Sequence, residues 1–135
     1  MDNPVKPPTV LLADDDPAVL DQLRRLLQSE FEVVGTVADG QALLAAVSDL
    51  QPDLCVTDIS MPRLNGFQAA RQLQKEQRNV RILFLTVHEE PVFVSEALEI
   101  GVAGYVLKRT ASADLVPALW RVFHGGCFVS AAIQQ

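Results

Sequence analysis

Cysteine is scarce in this chain of 135 residues, with Cys55 and Cys127 the only two. They form no close pair and match no zinc-ligand spacing, which excludes a disulfide framework and a thiolate metal centre and fits a reducing compartment. Long apolar runs are missing too. None approaches the roughly 20 residues of a membrane-crossing helix, and the first residues lack the basic-then-apolar order of a secretory leader. A cytoplasmic protein without membrane contact is expected. Basic residues are the minority, 11 Lys and Arg against 17 Asp and Glu, for a net charge of −6. Neutralising a nucleic-acid backbone takes clustered Lys and Arg, so direct nucleic-acid binding by this chain is not expected. Internal repeats and low-complexity segments are absent.

What remains is the composition of one globular domain, 49% hydrophobic and 21% charged. Residues 1–8 hold three prolines and few apolar side chains and read as a flexible tail. Residues 9–126 carry the folded domain, and 127–135 read as the start of a linker or C-terminal extension.

Within the domain, short apolar runs alternate with longer amphipathic stretches. Strands are predicted at 10–13, 31–37, 54–57, 82–85 and 104–107, from compact apolar or β-branched runs. Helices are predicted at 17–28, 41–50, 65–77 and 91–100, from apolar residues at helical spacing. A last helix runs up to His124 and is stopped by Gly125-Gly126. Pro117 lies inside its periodic stretch, and an interior proline costs about 3 kcal/mol. Two solutions are open: a late start with Asp114 as cap, or a bend at Pro117. Alternation of this kind gives an α/β fold, a doubly wound parallel sheet of five strands with helices on both faces.

The strongest chemical signal is acidic. Asp14-Asp15-Asp16 follows the first strand directly, and Asp58 follows the third. Open parallel sheets bind ligands at the carboxyl ends of their strands, where the strand order reverses. If the first and third strands flank that point, the carboxylates converge and repel. A hard divalent cation removes the penalty, and Mg²⁺ suits a few carboxylates with water and phosphate oxygens. Asp16 precedes Pro17 and reads instead as a helix N-cap. Thr86 and Lys108 end the fourth and fifth strands on the same edge. A hydroxyl can donate to a phosphoryl oxygen and an ammonium can neutralise its charge. Each residue alone has a plain structural reading: turn aspartates, a β-branched strand residue, a solvated lysine. Their order at four successive strand ends is hard to explain that way.

At this point the chain resembles the receiver domain of two-component response regulators over about residues 9–126. The matching residues are Asp14-Asp15-Asp16-Pro17, Pro52-Asp53, Asp58 with Met61-Pro62 and Gly66, Thr86 after its apolar strand, and Gly104-Tyr105 with Lys108. The opening motif, the Gly104–Lys108 segment and Gly125-Gly126-Cys127-Phe128-Val129-Ser130 are similar to the NarL/FixJ class. The resemblance implies a flavodoxin-like (βα)5 fold with strand order 2-1-3-4-5. It implies that Asp58 takes a phosphoryl group from a sensor histidine kinase, a regulatory event with slow self-dephosphorylation and not enzymatic turnover. Mg²⁺ would be held by Asp58, Asp15 and the Ser60 backbone carbonyl, with Asp14 on a metal-bound water. Lys108 would pair with Asp58 and then with the phosphoryl group. Thr86 would swing toward the phosphate and Tyr105 would follow inward, altering an output surface and possible homodimerisation. The class usually continues into a helix-turn-helix domain that controls transcription. That domain is not in this sequence, which leaves a piece of a longer regulator and a stand-alone receiver both open.

Some positions depart from the usual pattern. Arg109 stands where an acidic residue is common and brings positive charge beside the site. Val87 replaces the common alanine, a size that would narrow access to the phosphate. Ser60, Val87 and His88 occupy places where the family tunes phosphoryl lifetime, although His88 reads equally as a solvated loop histidine. Trp120 reads as partly buried packing. Three alternative readings fit the residues less well. A haloacid-dehalogenase-type phosphatase would use Asp14 and Asp16, but Pro17 and the lack of a later acidic pair oppose it. A flavodoxin-type electron carrier would need a Gly- and hydroxyl-rich phosphate loop in place of the acidic run. A degenerate receiver acting only as an interaction module is opposed by the intact Asp58, Thr86 and Lys108.

Overall fold

A computed structural model describes residues 6–133. The strands are β1 (Thr9–Ala13), β2 (Glu32–Val37), β3 (Leu54–Thr57), β4 (Arg81–Thr86), β5 (Gly104–Leu107) and β6 (Phe128–Val129). The helices are α1 (Pro17–Leu27), α2 (Gly40–Leu50), α3 (Gly66–Lys75), α4 (Pro91–Ile100) and α5 (Ala111–Phe123), with a 3₁₀ turn at Lys108–Thr110. All strand pairs are parallel, in the order β2-β1-β3-β4-β5-β6. The expected order 2-1-3-4-5 is present, and a sixth strand extends it at the β5 edge.

Side-chain alternation along the strands sorts the apolar residues into two layers. Leu11, Ala13, Cys55, Ile82 and Phe84 face α2, α3 and α4, against Leu43, Val47, Phe67, Leu73 and Ala97. Val10, Leu12, Leu54, Val56, Leu83 and Leu85 face α1 and α5, against Leu23, Leu27, Leu115, Leu119 and Val122. Both faces of β3 and β5 are buried, which is why these strands read as continuous apolar runs.

Local chemistry fixes the helix ends. Asp16 is the N-cap of α1, accepting from the Ala18 amide at 2.9 Å with Pro17 in the first turn. Asn65 and Gln68 form a reciprocal capping box at α3. Past α5, the Gly126 amide bonds the Arg121 carbonyl and the Gly125 amide bonds Val122, with Gly125 at φ 92°. That is a Schellman closure, which glycine accommodates without a Cβ penalty.

Three sequence expectations change. The last helix does not start late: α5 begins at Ala111 and runs through Pro117. Asp114 is not its cap, because its carboxylate receives the hydroxyls of Thr110 (2.8 Å) and Ser130 (3.0 Å). The apolar face of α5, with Leu115, Ala118, Leu119 and Val122 fully buried, outweighs one lost backbone bond at proline. Pro8, expected in a flexible tail, is buried and its carbonyl accepts from the Glu32 amide at 2.9 Å; residues 1–5 lie outside the described residues. Residues 128–129, assigned to the linker from sequence, form β6 beside β5.

Candidate phosphorylation and metal site

The parallel register of β1 and β3 pairs Ala13 with Thr57. One residue further, Asp14 and Asp58 leave the sheet side by side. The Asp58 amide still bonds the Ala13 carbonyl and the Asp14 amide the Val37 carbonyl, each at 3.0 Å. Both carboxylates are buried, Asp14 at 1% and Asp58 at 7% exposure, while Asp15 is exposed on the rim. Carboxylate oxygens of Asp14, Asp15 and Asp58 lie within 4.8 Å of one another. Lys108, the first residue after β5, reaches across to them. Its ammonium stands 2.8 Å from Asp14 Oδ2 and 3.0 Å from Asp58 Oδ2.

The other oxygens of the two buried acids are also engaged. Asp58 Oδ1 accepts from the Ile59 amide at 2.7 Å, and Asp14 Oδ1 from the Asp16 amide at 2.9 Å. Burial raises the Asp58 carboxyl above its ordinary value, the Lys108 ammonium opposes this, and the Asp14 charge reinforces it. Burial works against the Lys108 charge, but the bonds to Asp14 and Asp58 outweigh it and hold the ammonium above its ordinary value. Two acids sharing one cation leave an excess of negative charge in a partly dry pocket, a fit for an oxygen-seeking divalent ion.

The loop after Asp58 is held from below. A Cβ on Gly66 would stand 2.3 Å from the Asp58 carbonyl oxygen, so only glycine admits this approach. Arg63 and Leu64 sit at φ 50° and 98°, strained for residues with a Cβ. The Arg63 guanidinium bonds Asp39 Oδ2 at 2.9 and 3.1 Å, and the Leu64 carbonyl receives the Gly40 amide at 3.0 Å. The hydrogen bond from the Ala42 amide and then Arg63 hold the Asp39 carboxyl below its ordinary value.

Around the rim, Thr86 is buried at the end of β4 and its hydroxyl accepts from the His88 amide at 3.1 Å. His88 is not a free loop histidine. Its Nε2 is 3.1 Å from Ser60 Oγ, and its ring lies on Phe93 of α4 at 4.1 Å and 8°. Tyr105 is inward and fully buried, with its hydroxyl donating to the His88 carbonyl at 2.8 Å. Val87 is 66% exposed. Arg109 does not add a bare charge beside the site: it forms a two-point pair with Glu89 at 2.8 and 3.0 Å. Trp120 is partly buried as expected, with Nε1 donating to Glu30 at 2.8 Å and its ring 4.9 Å from Phe31.

The structure thus gathers Asp14, Asp15, Asp58 and Lys108 into one pocket and sets Ser60, Thr86, His88 and Tyr105 along one connected rim. The Asp39–Arg63 pair had no signal in sequence, since its members are separated in the chain and each reads as an ordinary surface charge.

The family model for the response regulator receiver domain matches residues 10–119. This chain belongs to that family. Curated relatives include the transcriptional regulatory protein DegU of Brevibacillus brevis, 32% identical over 122 residues, covering 89% of this chain and 52% of DegU. Response regulator GacA of Pseudomonas aeruginosa is 32% identical over 128 residues, covering 93% of this chain and 60% of GacA. The chain therefore spans between half and two-thirds of the length of these relatives. Among solved structures, the NarL signal receiver domain from Mycobacterium tuberculosis aligns with TM-score 0.86 at 30% identity, covering 90% of this chain and 99% of that one. The isolated RcsB receiver domain from Salmonella enterica serovar Typhimurium, solved with phosphomimetic BeF3−, aligns with TM-score 0.88 at 29% identity, covering 96% and 97%. Receiver domains are regulatory modules of two-component signalling, and the relatives here are regulators of the NarL/LuxR kind. Among the described residues, no helix is long and apolar enough to cross a membrane.

Proposed function

We propose that this receiver takes a phosphoryl group onto Asp58 from the phosphohistidine of a sensor histidine kinase in the cytoplasm. The observation that carries the reading is the Lys108 ammonium shared between buried Asp14 and Asp58, with Asp15 beside them. An Asp58 carboxylate oxygen attacks phosphorus, the P–N bond breaks, and its electron pair leaves on the imidazole nitrogen of the kinase. Asp15, Asp58 and the Ser60 carbonyl would hold Mg²⁺, with Asp14 on a metal-bound water. The ion supplies charge neutralisation to the crowded carboxylates and incoming phosphoryl oxygens.

Lys108 loses one partner when Asp58 becomes an acyl phosphate and transfers its contact to the phosphoryl group, which gives the phosphorylated form a contact the free carboxylate lacks. The Thr86 hydroxyl, which accepts from the His88 amide, is the second donor available to it. The Tyr105–His88 hydrogen bond and the His88–Phe93 stack link that movement to α4. Tyr105, buried with its hydroxyl on the His88 carbonyl, is the residue that would carry a shift of Thr86 to the α4 face. Ser60, Val87 and His88 set phosphoryl lifetime by controlling water at the rim. The output is control of transcription through a DNA-binding domain elsewhere in the protein, with homodimerisation on phosphorylation. RcsB has been solved as dimers bound to DNA, which supports that output by analogy.

The test is incubation with Mg²⁺ and a small phosphodonor, with Asp58→Asn as control. Acid-labile phosphate on the wild type and none on the variant is expected. No phosphate on either would leave a degenerate interaction module, and multiple turnover of phosphomonoesters would indicate a phosphatase.

A further inference from the structure

Segment 127–130 lies past the glycine stop of α5, and Ser130 within it is fully buried. β6 runs along β5, with the Phe128 amide on the Ala103 carbonyl at 3.0 Å and the Ser130 amide on the Tyr105 carbonyl at 2.9 Å. The Ser130 hydroxyl then closes a network. It accepts from the Leu107 amide at 3.1 Å and donates to Asp114 Oδ2 at 3.0 Å. The same Asp114 oxygen receives the Thr110 hydroxyl at 2.8 Å.

Leu107 and Thr110 bracket Lys108. The lysine stem has four rotatable carbons, so the backbone at its root must be fixed if the ammonium is to meet two carboxylates at once. Ser130 holds the residue before it and Asp114 the residue two beyond. Both contacts come from outside the site, one from the end of the sheet and one from the first turns of α5.

We infer that Ser130 and Asp114 are positioning residues for Lys108, so that docking of the 128–130 segment and engagement of the phosphoryl group by Lys108 strengthen each other. The inference rests on the phosphoacceptor reading above. By linkage, a segment that helps place Lys108 is itself held more firmly when Lys108 is engaged. The exit of the chain toward residues beyond 130 is thereby fastened to the strand that carries both Tyr105 and the root of Lys108.

Two measurements on the full chain test this. In the wild type, Mg²⁺ with beryllofluoride should slow hydrogen exchange of the Leu107 amide by about threefold or more. An unchanged rate in a protein that demonstrably takes phosphate on Asp58 overturns the inference alone. In Ser130→Ala and Asp114→Asn, phosphorylation by a small phosphodonor should slow by about three- to tenfold, with Mg²⁺ affinity held within about twofold. The double variant should be little slower than either single one, because the two residues share one network. A wild-type rate in both single variants overturns the proposal. A parallel fall in Mg²⁺ affinity also overturns it, since that marks a general loosening of the acidic pocket. A wild type that takes up no phosphate overturns the phosphoacceptor reading and this inference with it.

Discussion

The Lys108 ammonium stands 3.0 Å from Asp58 Oδ2, joining residues 50 positions apart, and it holds Asp14 at 2.8 Å with the same charge. One cation therefore balances two buried acids. This shortfall of positive charge leaves the two carboxylates repelling each other in a partly dry pocket.

Removing one acid should stabilise the fold. Asp58→Asn is expected to raise stability at neutral pH without Mg²⁺ by about 1 kcal/mol, as relief of a strained functional site does. Lys108→Ala should do the reverse, by roughly 1–3 kcal/mol, less than for a fully buried pair because the ammonium is partly in solvent. Mg²⁺ should then stabilise Lys108→Ala more than the wild type. Urea unfolding with and without Mg²⁺ checks all three, and a destabilised Asp58→Asn would contradict the charge argument.

The pH dependence follows from the raised Asp58 carboxyl. Its proton is held more tightly in the fold than in the unfolded chain, so its contribution to stability is complete below the ordinary value of 3.8 and is lost as pH rises through the folded value. Attack on phosphorus needs the ionised form. The phosphorylation rate should therefore fall as pH drops toward the folded value, at a pH above 3.8, and saturating Mg²⁺ should move that limb to lower pH. A limb that ignores Mg²⁺ would place the titrating group elsewhere.

Gly66→Ala tests the support beneath the acceptor. Its Cβ would lie 2.3 Å from the Asp58 carbonyl oxygen, and backbone has nowhere to yield there. A loss of roughly 2–4 kcal/mol in stability is expected, together with a fall in phosphorylation of about tenfold or more through displacement of Asp58. Circular dichroism melts and phosphate incorporation report the two effects separately.

His88 closes the rim through Ser60 on one side and Phe93 on the other. His88→Ala should open a path for water and shorten the half-life of phosphorylated Asp58 by about two- to tenfold, with little change in the rate of phosphorylation. Decay of acid-labile phosphate after removal of the donor measures it, and an unchanged half-life would return His88 to a packing role.

Sequence alone determined the layered α/β architecture, because apolar runs too short for helices alternate with stretches of helical period, and parallel strands buried on both faces leave little choice of arrangement. It also put Asp14, Asp15, Asp58, Thr86 and Lys108 at strand ends, because each follows directly on a short apolar run; the parallel register is what brings Asp14, Asp15, Asp58 and Lys108 together. The capping role of Asp16 was legible for the same local reason, an acid before a first-turn proline. Tertiary packing decided the rest. Pro117 stayed inside α5 because burial of the whole helix face outweighs one missing hydrogen bond, a balance no local pattern contains. The neutralisation of Arg109 by Glu89, the Asp39–Arg63 tie and the anchoring of Ser130 beside Leu107 join residues far apart in the chain. Their side chains look ordinary in sequence, and only the folded geometry shows which partner each one meets.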